Sequence, residues 1–269
     1  MKRKFLVGML YSGESEYELS VTSLKSQSLK DWDLYEVKNL REKEAHDNLY
    51  AYFMSQADSY EYFFKLDADM VLEDQSTLQK IYDVCYEENL AHLMSYVYDC
   101  PSRQYIPGVQ IFRCDCLWMG SNDLLNTDYA PKLFGKSKAV MDEKWVKHMP
   151  QPSEYQLFRY GIHKALKSLQ PDRKDKSMTK FLMHLNILQG IARHAKDNTE
   201  SNVFFALIGA YLFAEGVYKQ IEQNTDEAKR LFTKLTSSDE ILNDYKNRAM
   251  HYWRHDVQSS YKWHALMNK

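Results

Sequence analysis

A chain of 269 residues is long enough for one large domain or for a medium domain with a smaller companion, and 44% hydrophobic with 27% charged residues is ordinary for a globular protein. A formal net charge of -2 gives no bulk electrostatic reason to bind nucleic acid, which sets nonspecific polyanion binding aside. The four cysteines, Cys85, Cys100, Cys114 and Cys116, form no C-x-x-C pair, so neither a zinc ribbon nor a disulfide framework is indicated, and reduced thiols in the cytoplasm are the simplest account.

The opening "MKRKFLVGMLYSGESE" has the basic start and apolar run of a secretion signal. The run is short, however, and meets Glu14 and Glu16 without a small-residue cleavage site, so Phe5 to Tyr11 reads as a first buried strand. Tyr17, Val21 and Leu24 then share one helical face. "WDLYEV" is a second strand, and Ala45, Leu49, Tyr52, Phe53 and Gln56 define a second helix. "YFFKL" is a third strand, followed by Leu78, Ile81, Tyr82 and Cys85 at helical spacing and by "AHLMSYVY" as a fourth strand. Such alternation implies βαβ units, a mainly parallel sheet, and ligand binding at the carboxyl ends of its strands. Between Cys100 and Pro152 the pattern weakens: "GVQIFR", opened by Pro107 and Gly108, is a strand, and "AVMDEKWVKHMP" a strand or irregular edge.

From Ser153, a natural N-cap, the sequence turns helical through "SEYQLFRYGIHKALKSL", with further helices around residues 178 to 195, 201 to 219 and 225 to 250. "NVFFALIGAYLFAEGVY" is the most apolar stretch, but Glu215 interrupts it and it falls short of the roughly 20 residues of a membrane span, so a core helix is expected. No internal repeat or low-complexity segment stands out. The expected division is residues 1–150 and a helical extension over 151–269.

The most informative motif is "YFFKLDADMVL". On an extended backbone Asp67 and Asp69 point to the same side, and at a strand end both can turn toward one ligand. Oxygen ligands of this kind suit Mg²⁺ or Mn²⁺, which take one or two protein carboxylates and fill their other positions with diphosphate oxygens and water. A solvated turn is the alternative; the aromatic strand before the motif and the apolar "MVL" after it weigh against that.

This order of elements resembles the nucleotide-sugar-binding half of GT-A fold glycosyltransferases, particularly bacterial enzymes of the family 2 type. "EYFFKLDADMVLED" is similar to their strand ending in D-x-D, "SVTSLKSQSLKDWDLYEV" to their first helix and second strand, and "AHDNLYAYFMSQA" to the segment that carries an asparagine ahead of the D-x-D. The resemblance spans about residues 4 to 150. It implies a GT-A (Rossmann-like) α/β fold, with a mainly parallel sheet flanked by helices and a C-terminal helical extension. It also implies that Asp67 and Asp69 hold a divalent Mn or Mg ion, with Asp67 also reaching the donor. Tyr11, Ser12 and Gly13 would lie against the base or sugar, with Asn48 and Lys65 near the donor. "VKNLREKEAHD" departs from the family's acidic, serine-rich turn, which leaves Glu36, Asn39 or Arg41 as candidates for base recognition.

In many metal-dependent GT-A enzymes a histidine downstream of the D-x-D completes the ion's coordination, and His148, after "KWVKH", occupies that place; a structural or exposed histidine is the alternative. Arg159, His163 and Lys167 recur every four residues, with Lys164 beside them, so they form either a face for diphosphate or an anionic acceptor, or a solvated basic face. On the first reading Arg159 and His163 are donor-binding residues. An inverting reaction needs a carboxylate base. Asp123, Asp128, Asp142 and Glu143 are the candidates, Asp128 and Asp142 being best placed by order along the chain; a retaining reaction needs none of them.

The function expected from the resemblance is metal-dependent transfer of a sugar from a nucleotide-diphosphate sugar to a glycan or lipid-linked acceptor in bacterial surface polysaccharide assembly, in the cytoplasm at the inner face of the membrane. The tail "HYWRHDVQSSYKWHALMNK" interleaves aromatics with bases and suits either peripheral membrane contact or packing on the domain. Two other readings stand beside it. "FFKLDADMV" also fits the D-x-D-x-[TV] expression of haloacid dehalogenase-like phosphatases, although their motif ends the first strand and this one the third. A noncatalytic helical interaction protein on a degenerate sugar-binding domain is the other.

Overall fold

A computed structural model describes residues 2–120, 130–141, 144–169, 178–198, 201–220 and 225–253. The elements in chain order are β1 (Arg3–Tyr11), α1 (Tyr17–Lys25), β2 (Trp32–Lys38), α2 (Glu42–Ser55), β3 (Tyr60–Asp67), β4 (Met70–Leu72), α3 (Thr77–Glu87), β5 (Leu90–Asp99), β6 (Gln104–Arg113), β7 (Lys136–Val140), β8 (Val146–His148), α4 (Glu154–Leu169), α5 (Met178–Asp197), α6 (Phe204–Ala214), α7 (Asp226–Leu235) and α8 (Asp239–His251). They fall into two compact units. The first takes the described residues up to Cys100 and from Tyr105 to Pro152; the second takes Pro101–Gln104 and the described residues from Ser153 onward.

The first unit is an α/β domain on one sheet of order β2-β1-β3-β6-β5-β8-β4, with β7 beside the first half of β5. β1 runs parallel to both β2 and β3, whereas β3–β6 and β4–β8 are antiparallel. The apolar runs of β1 and β3 are continuous because helices cover both sheet faces. On one face Leu6 and Phe63 meet Leu49 and Phe53 of α2, the Phe53 and Phe63 rings stacking at 4.7 Å. On the other, Phe5 meets Tyr82 of α3 edge-on at 5.9 Å. β6 begins at Gln104, earlier than "GVQIFR" suggests. Pro107 fits within it because it precedes Gln110–Arg113, the segment that pairs with β3, and so interrupts no bond of that ladder.

The second unit is helical. Ser153 accepts the Gln156 N–H at 3.2 Å and starts α4. The apolar 201–219 segment yields only α6, whose Phe204 to Ala210 are all buried. The 225–250 segment is two helices rather than one: Ser238 accepts the Ile241 N–H at 3.2 Å, and Asp239 and Glu240 follow in the first turn, a new start signal. Trp253, at the head of the aromatic tail, donates to the Leu207 carbonyl at 3.1 Å and is buried; residues 254–269 lie outside the described residues. Among the described residues no helix is long and apolar enough to cross a membrane.

Helices α4 and α6 cross closely where each contributes a glycine. A Cβ on Gly161 would stand 1.8 Å from the Ala206 carbonyl oxygen, and one on Gly209 would stand 2.2 Å from that of Phe158. Gly161→Ala must therefore separate the helices, and an overpacking loss of about 1–3 kcal/mol is expected. Urea unfolding measures it; an unchanged midpoint would mean that the crossing is looser than described.

Candidate active site

The site grows from the way the short strand β8 is inserted. β8 pairs antiparallel with β4, placing Met70 opposite His148, and parallel with the end of β5, placing Asp99 opposite His148. Backbone bonds lock the junction: Met149 N–H donates to the Asp69 carbonyl at 2.8 Å, and Cys100 N–H to that of His148 at 3.0 Å. Met149 takes a positive φ of 51°, which turns the chain back immediately after the histidine. On the other side, Ala68 N–H donates to Leu10 of β1 at 3.2 Å, so the D-x-D sits on the carboxyl edge of the β1–β3 pair.

Three side chains converge here. His148 Nδ1 lies 2.6 Å from Asp99 Oδ1, and Nε2 lies 3.3 Å from Asp69 Oδ2. Asp99 is a fully buried carboxylate, His148 is 9% exposed, and Asp69 is 17% exposed. Because a carboxylate can only accept, Asp99 holds the proton on Nδ1 and fixes the ring. Burial works against a charged imidazole, but Asp69 and then Asp99 outweigh it, and the pKa of His148 is raised from 6.5 to about 10. Without a metal the ring is thus an imidazolium between two aspartates.

The same donors fit a divalent ion. With its proton displaced, Nε2 presents a lone pair toward Asp69 Oδ2, and their separation matches the ~3 Å expected between neighbouring ligands of an octahedral ion with bonds of about 2.1 Å. One imidazole nitrogen with carboxylate oxygen suits Mn²⁺. Among the described residues no group of three or more His, Cys, Asp or Glu is placed to hold a metal ion, so an ion on Asp69 and His148 would take its remaining ligands from substrate and water.

Asp67 is turned elsewhere. Its Oδ1 lies 3.1 Å from Nζ of Lys65, a buried lysine two residues earlier on β3, and its side chain is the most open of the three aspartates. Lys65 therefore acts beneath the D-x-D, as a charge partner to Asp67.

A second cluster lies along the same edge, where Tyr11 of β1 stands opposite Lys38 of β2. Tyr17 donates to Glu36 Oε1 at 2.5 Å and accepts from Lys38 Nζ at 2.6 Å. The rings of Tyr11 and Tyr17 are 4.6 Å apart. The Tyr17 pKa is raised, mainly by its bond to Glu36, with Lys38 opposing. Ser12 donates both its N–H and its hydroxyl to Glu14, each at 2.6 Å, and Gly13 makes the turn at φ 100°. Glu16, next in the loop, is buried and accepts Gln151 N–H at 3.2 Å, tying this loop to the segment after His148.

Tyr11, Ser12, Gly13, Asp67, Asp69 and His148 are thus on or beside one edge of the sheet, and Lys65, level with Gly8 of β1, reaches it through its side chain to Asp67. Asn48 is held by β2: it accepts from Tyr35 at 2.7 Å, and Tyr35 pairs with Gly8 of β1, three residues before the end of that strand. Asn39, at φ 59°, makes the turn after β2, where its N–H donates to the Tyr11 carbonyl. Arg159 and His163 belong to α4 in the second unit. Asp123, Asp128, Asp142 and Glu143 lie outside the described residues. Sequence reasoning missed Asp99, although "SYVYDC" carried the same signal as the D-x-D, an aspartate closing an apolar strand. It also missed Tyr17 and Lys38, whose partners are apparent only once β1 and β2 are paired.

No family model matches the chain, and no curated protein matches it in sequence. Similar solved structures include S. aureus TarS 1-349, at 11% identity over 81% of this chain and 93% of that one with a TM-score of 0.40. The same protein in complex with UDP matches at 11% over 94% and 92%, TM-score 0.39. A mannosyltransferase, PcManGT from Pyrobaculum calidifontis in complex with GDP-Man and Mn2+, matches at 12% over 95% and 88%, TM-score 0.39. Likenesses this distant leave the function to be argued from the site itself.

The histidine gives a pH signature. A pKa raised on folding means that the stabilisation is fully present below about 6.5 and is lost as pH rises through about 10. In EDTA, the unfolding free energy of the parent is expected to fall across that window relative to His148→Gln, whose profile lacks this component. Parallel profiles for the two proteins would show that His148 is not an imidazolium.

Proposed function

We propose that the chain is a metal-dependent glycosyltransferase of the GT-A type, moving a sugar from a nucleotide-diphosphate sugar to a glycan or lipid-linked acceptor. The observation that carries this reading is the Asp69–His148 pair, backed by the buried Asp99, at the carboxyl edge of parallel strands. Carboxyl edges of this kind are where α/β domains take nucleotides. A divalent ion held by Asp69 and His148 would supply charge neutralisation to the departing diphosphate.

The chain's own groups divide the remaining work. Asp99 keeps His148 in the tautomer that can ligate, and Lys65 keeps Asp67 at the edge, where its open carboxylate faces the donor. Tyr11 and Tyr17 offer aromatic surface for the base, with Glu36 and Lys38 as the polar groups beside it. Ser12 and Gly13 shape the loop under the sugar or base. Asp128 and Asp142 remain the proposed bases for an inverting reaction, by order along the chain. Bacterial surface polysaccharide assembly at the inner membrane face is the proposed setting. In the phosphatase alternative Asp67 is the nucleophile and Asp69 the acid/base; the ion pairs to Lys65 and His148 favour an ion and diphosphate site instead.

Two measurements test the reading. Titration calorimetry with UDP, GDP, CDP and dTDP, with and without Mn²⁺, is expected to show metal-dependent binding of one of them, weakened at least 10-fold by Asp69→Asn through loss of a charge-assisted ligand. Absence of metal-dependent binding for the whole panel would sink the proposal. Tyr11→Ala is expected to weaken the same nucleotide by roughly 10-fold, the value of about one base–aromatic stack. Unchanged affinity would move base recognition away from this cluster.

A further inference from the structure

On the proposed reading one nucleotide reaches two places at once: the aromatic cluster of Tyr11 and Tyr17, and an ion on Asp69 and His148. A ligand that spans two subsites gains from the second only where their spacing matches its own reach, because the second contact is then made at high effective concentration. Helix α1 stands between the two. It opens at Tyr17, and the residue before it, Glu16, is its N-cap and is 1% exposed. Glu16 Oε1 accepts the N–H of Gln151, three residues past His148, at 3.2 Å. One enclosed side chain thus joins the start of the helix that carries Tyr17 to the turn that follows His148.

The segment that follows Asp69 hangs on the same helix. Ser23 Oγ, further along α1, accepts the N–H of Leu72 in β4 at 3.1 Å. Gln27, buried just after the helix, donates to the Asp74 carbonyl and accepts the Leu78 N–H, each at 2.8 Å. The strand after Asp69 and the turn after His148 are therefore bonded to one element whose first residue is Tyr17. Glu16 directs its bond to the backbone of that turn rather than to a side chain, so the position of the chain itself is held. An enclosed carboxyl group is costly unless hydrogen-bonded, which keeps this tie in place.

We propose that Glu16 is a positioning residue that couples the base cluster to the metal pair by fixing the turn after His148 against the start of α1. The inference rests on the metal-dependent donor reading above and adds the means by which one nucleotide engages both subsites. Glu16 acts through the groups on either side of it and contacts neither the ion nor the nucleotide. Its loss leaves each subsite able to bind alone and lowers only the gain from binding together, which by linkage is the same whether metal or nucleotide is added first.

The test measures coupling in the full chain. UDP, GDP, CDP and dTDP are titrated calorimetrically in EDTA and in saturating Mn²⁺, the ratio of the two affinities being the coupling factor, and Mn²⁺ is titrated alone by electron paramagnetic resonance. In Glu16→Ala the coupling factor is expected to fall about 10-fold, the worth of one hydrogen bond at a joint that must be exact, while the affinity for Mn²⁺ alone and for nucleotide in EDTA stay as in the parent. Glu16→Gln, whose amide oxygen still accepts the N–H, is expected to restore the factor. Gln151→Pro deletes the same bond from its other end, at an exposed residue, and is expected to lower the factor equally, which keeps the test open if Glu16→Ala fails to fold. A parent-level coupling factor in Gln151→Pro, or loss of Mn²⁺ affinity or of nucleotide affinity in EDTA to the same extent as the coupling, overturns the proposal. Failure of the donor reading looks different: the parent itself then shows no metal enhancement for any of the four nucleotides, and both inferences fall together.

Discussion

A buried imidazole held between two aspartates is the constraint around which the first unit is organised. His148 can stand there only because β8 is wedged between the end of β5 and β4, so that one three-residue strand brings Asp99 and the second aspartate of the D-x-D to opposite sides of the same ring. An enclosed carboxylate such as Asp99 is tolerable only with a charged, hydrogen-bonded partner. The imidazolium supplies that partner through its Nδ1–H, at 2.6 Å.

Charge is balanced with similar economy along the rest of the edge. Lys65 pairs with Asp67, and protonated His148 stands between Asp69 and Asp99. The Tyr17–Glu36–Lys38 chain is arranged differently: Tyr17 and Glu36 are half-buried, Lys38 is exposed, and they join through a phenol. On the proposed reading the acidic groups would hold the cation that takes a diphosphate, and the aromatic, polar surface beside them would take the base.

Much of the scaffold was legible in the sequence because its signals are local. Runs such as "KFLVGMLY" and "YEYFFKL" are apolar without alternation, which a strand covered on both faces demands, and the positions Leu78, Ile81, Tyr82 and Cys85 are all buried in α3 as their spacing suggests. Where the reading failed, a nonlocal or competing signal was responsible. The 225–250 segment looked like one helix because its periodicity continues across Ser238, yet a good cap and two acids restart the helix there. The bond from Tyr35 on β2 to Asn48 on α2 is likewise nonlocal, and neither neighbourhood announces it.

By itself the sequence determined the alternation of strands and helices, the placing of Asp67 and Asp69 at the end of a buried strand, and the change to a helical second half. These follow from hydrophobic periodicity and capping, which act over a few residues. Only the tertiary structure decided which partners those aspartates have. Asp99 and His148 are 49 residues apart, and nothing in either neighbourhood specifies the other; strand pairing brings them to 2.6 Å. It likewise turned Asp67 toward Lys65 and buried Arg159 and Lys164 of α4, because the direction and burial of a side chain depend on what packs against its element.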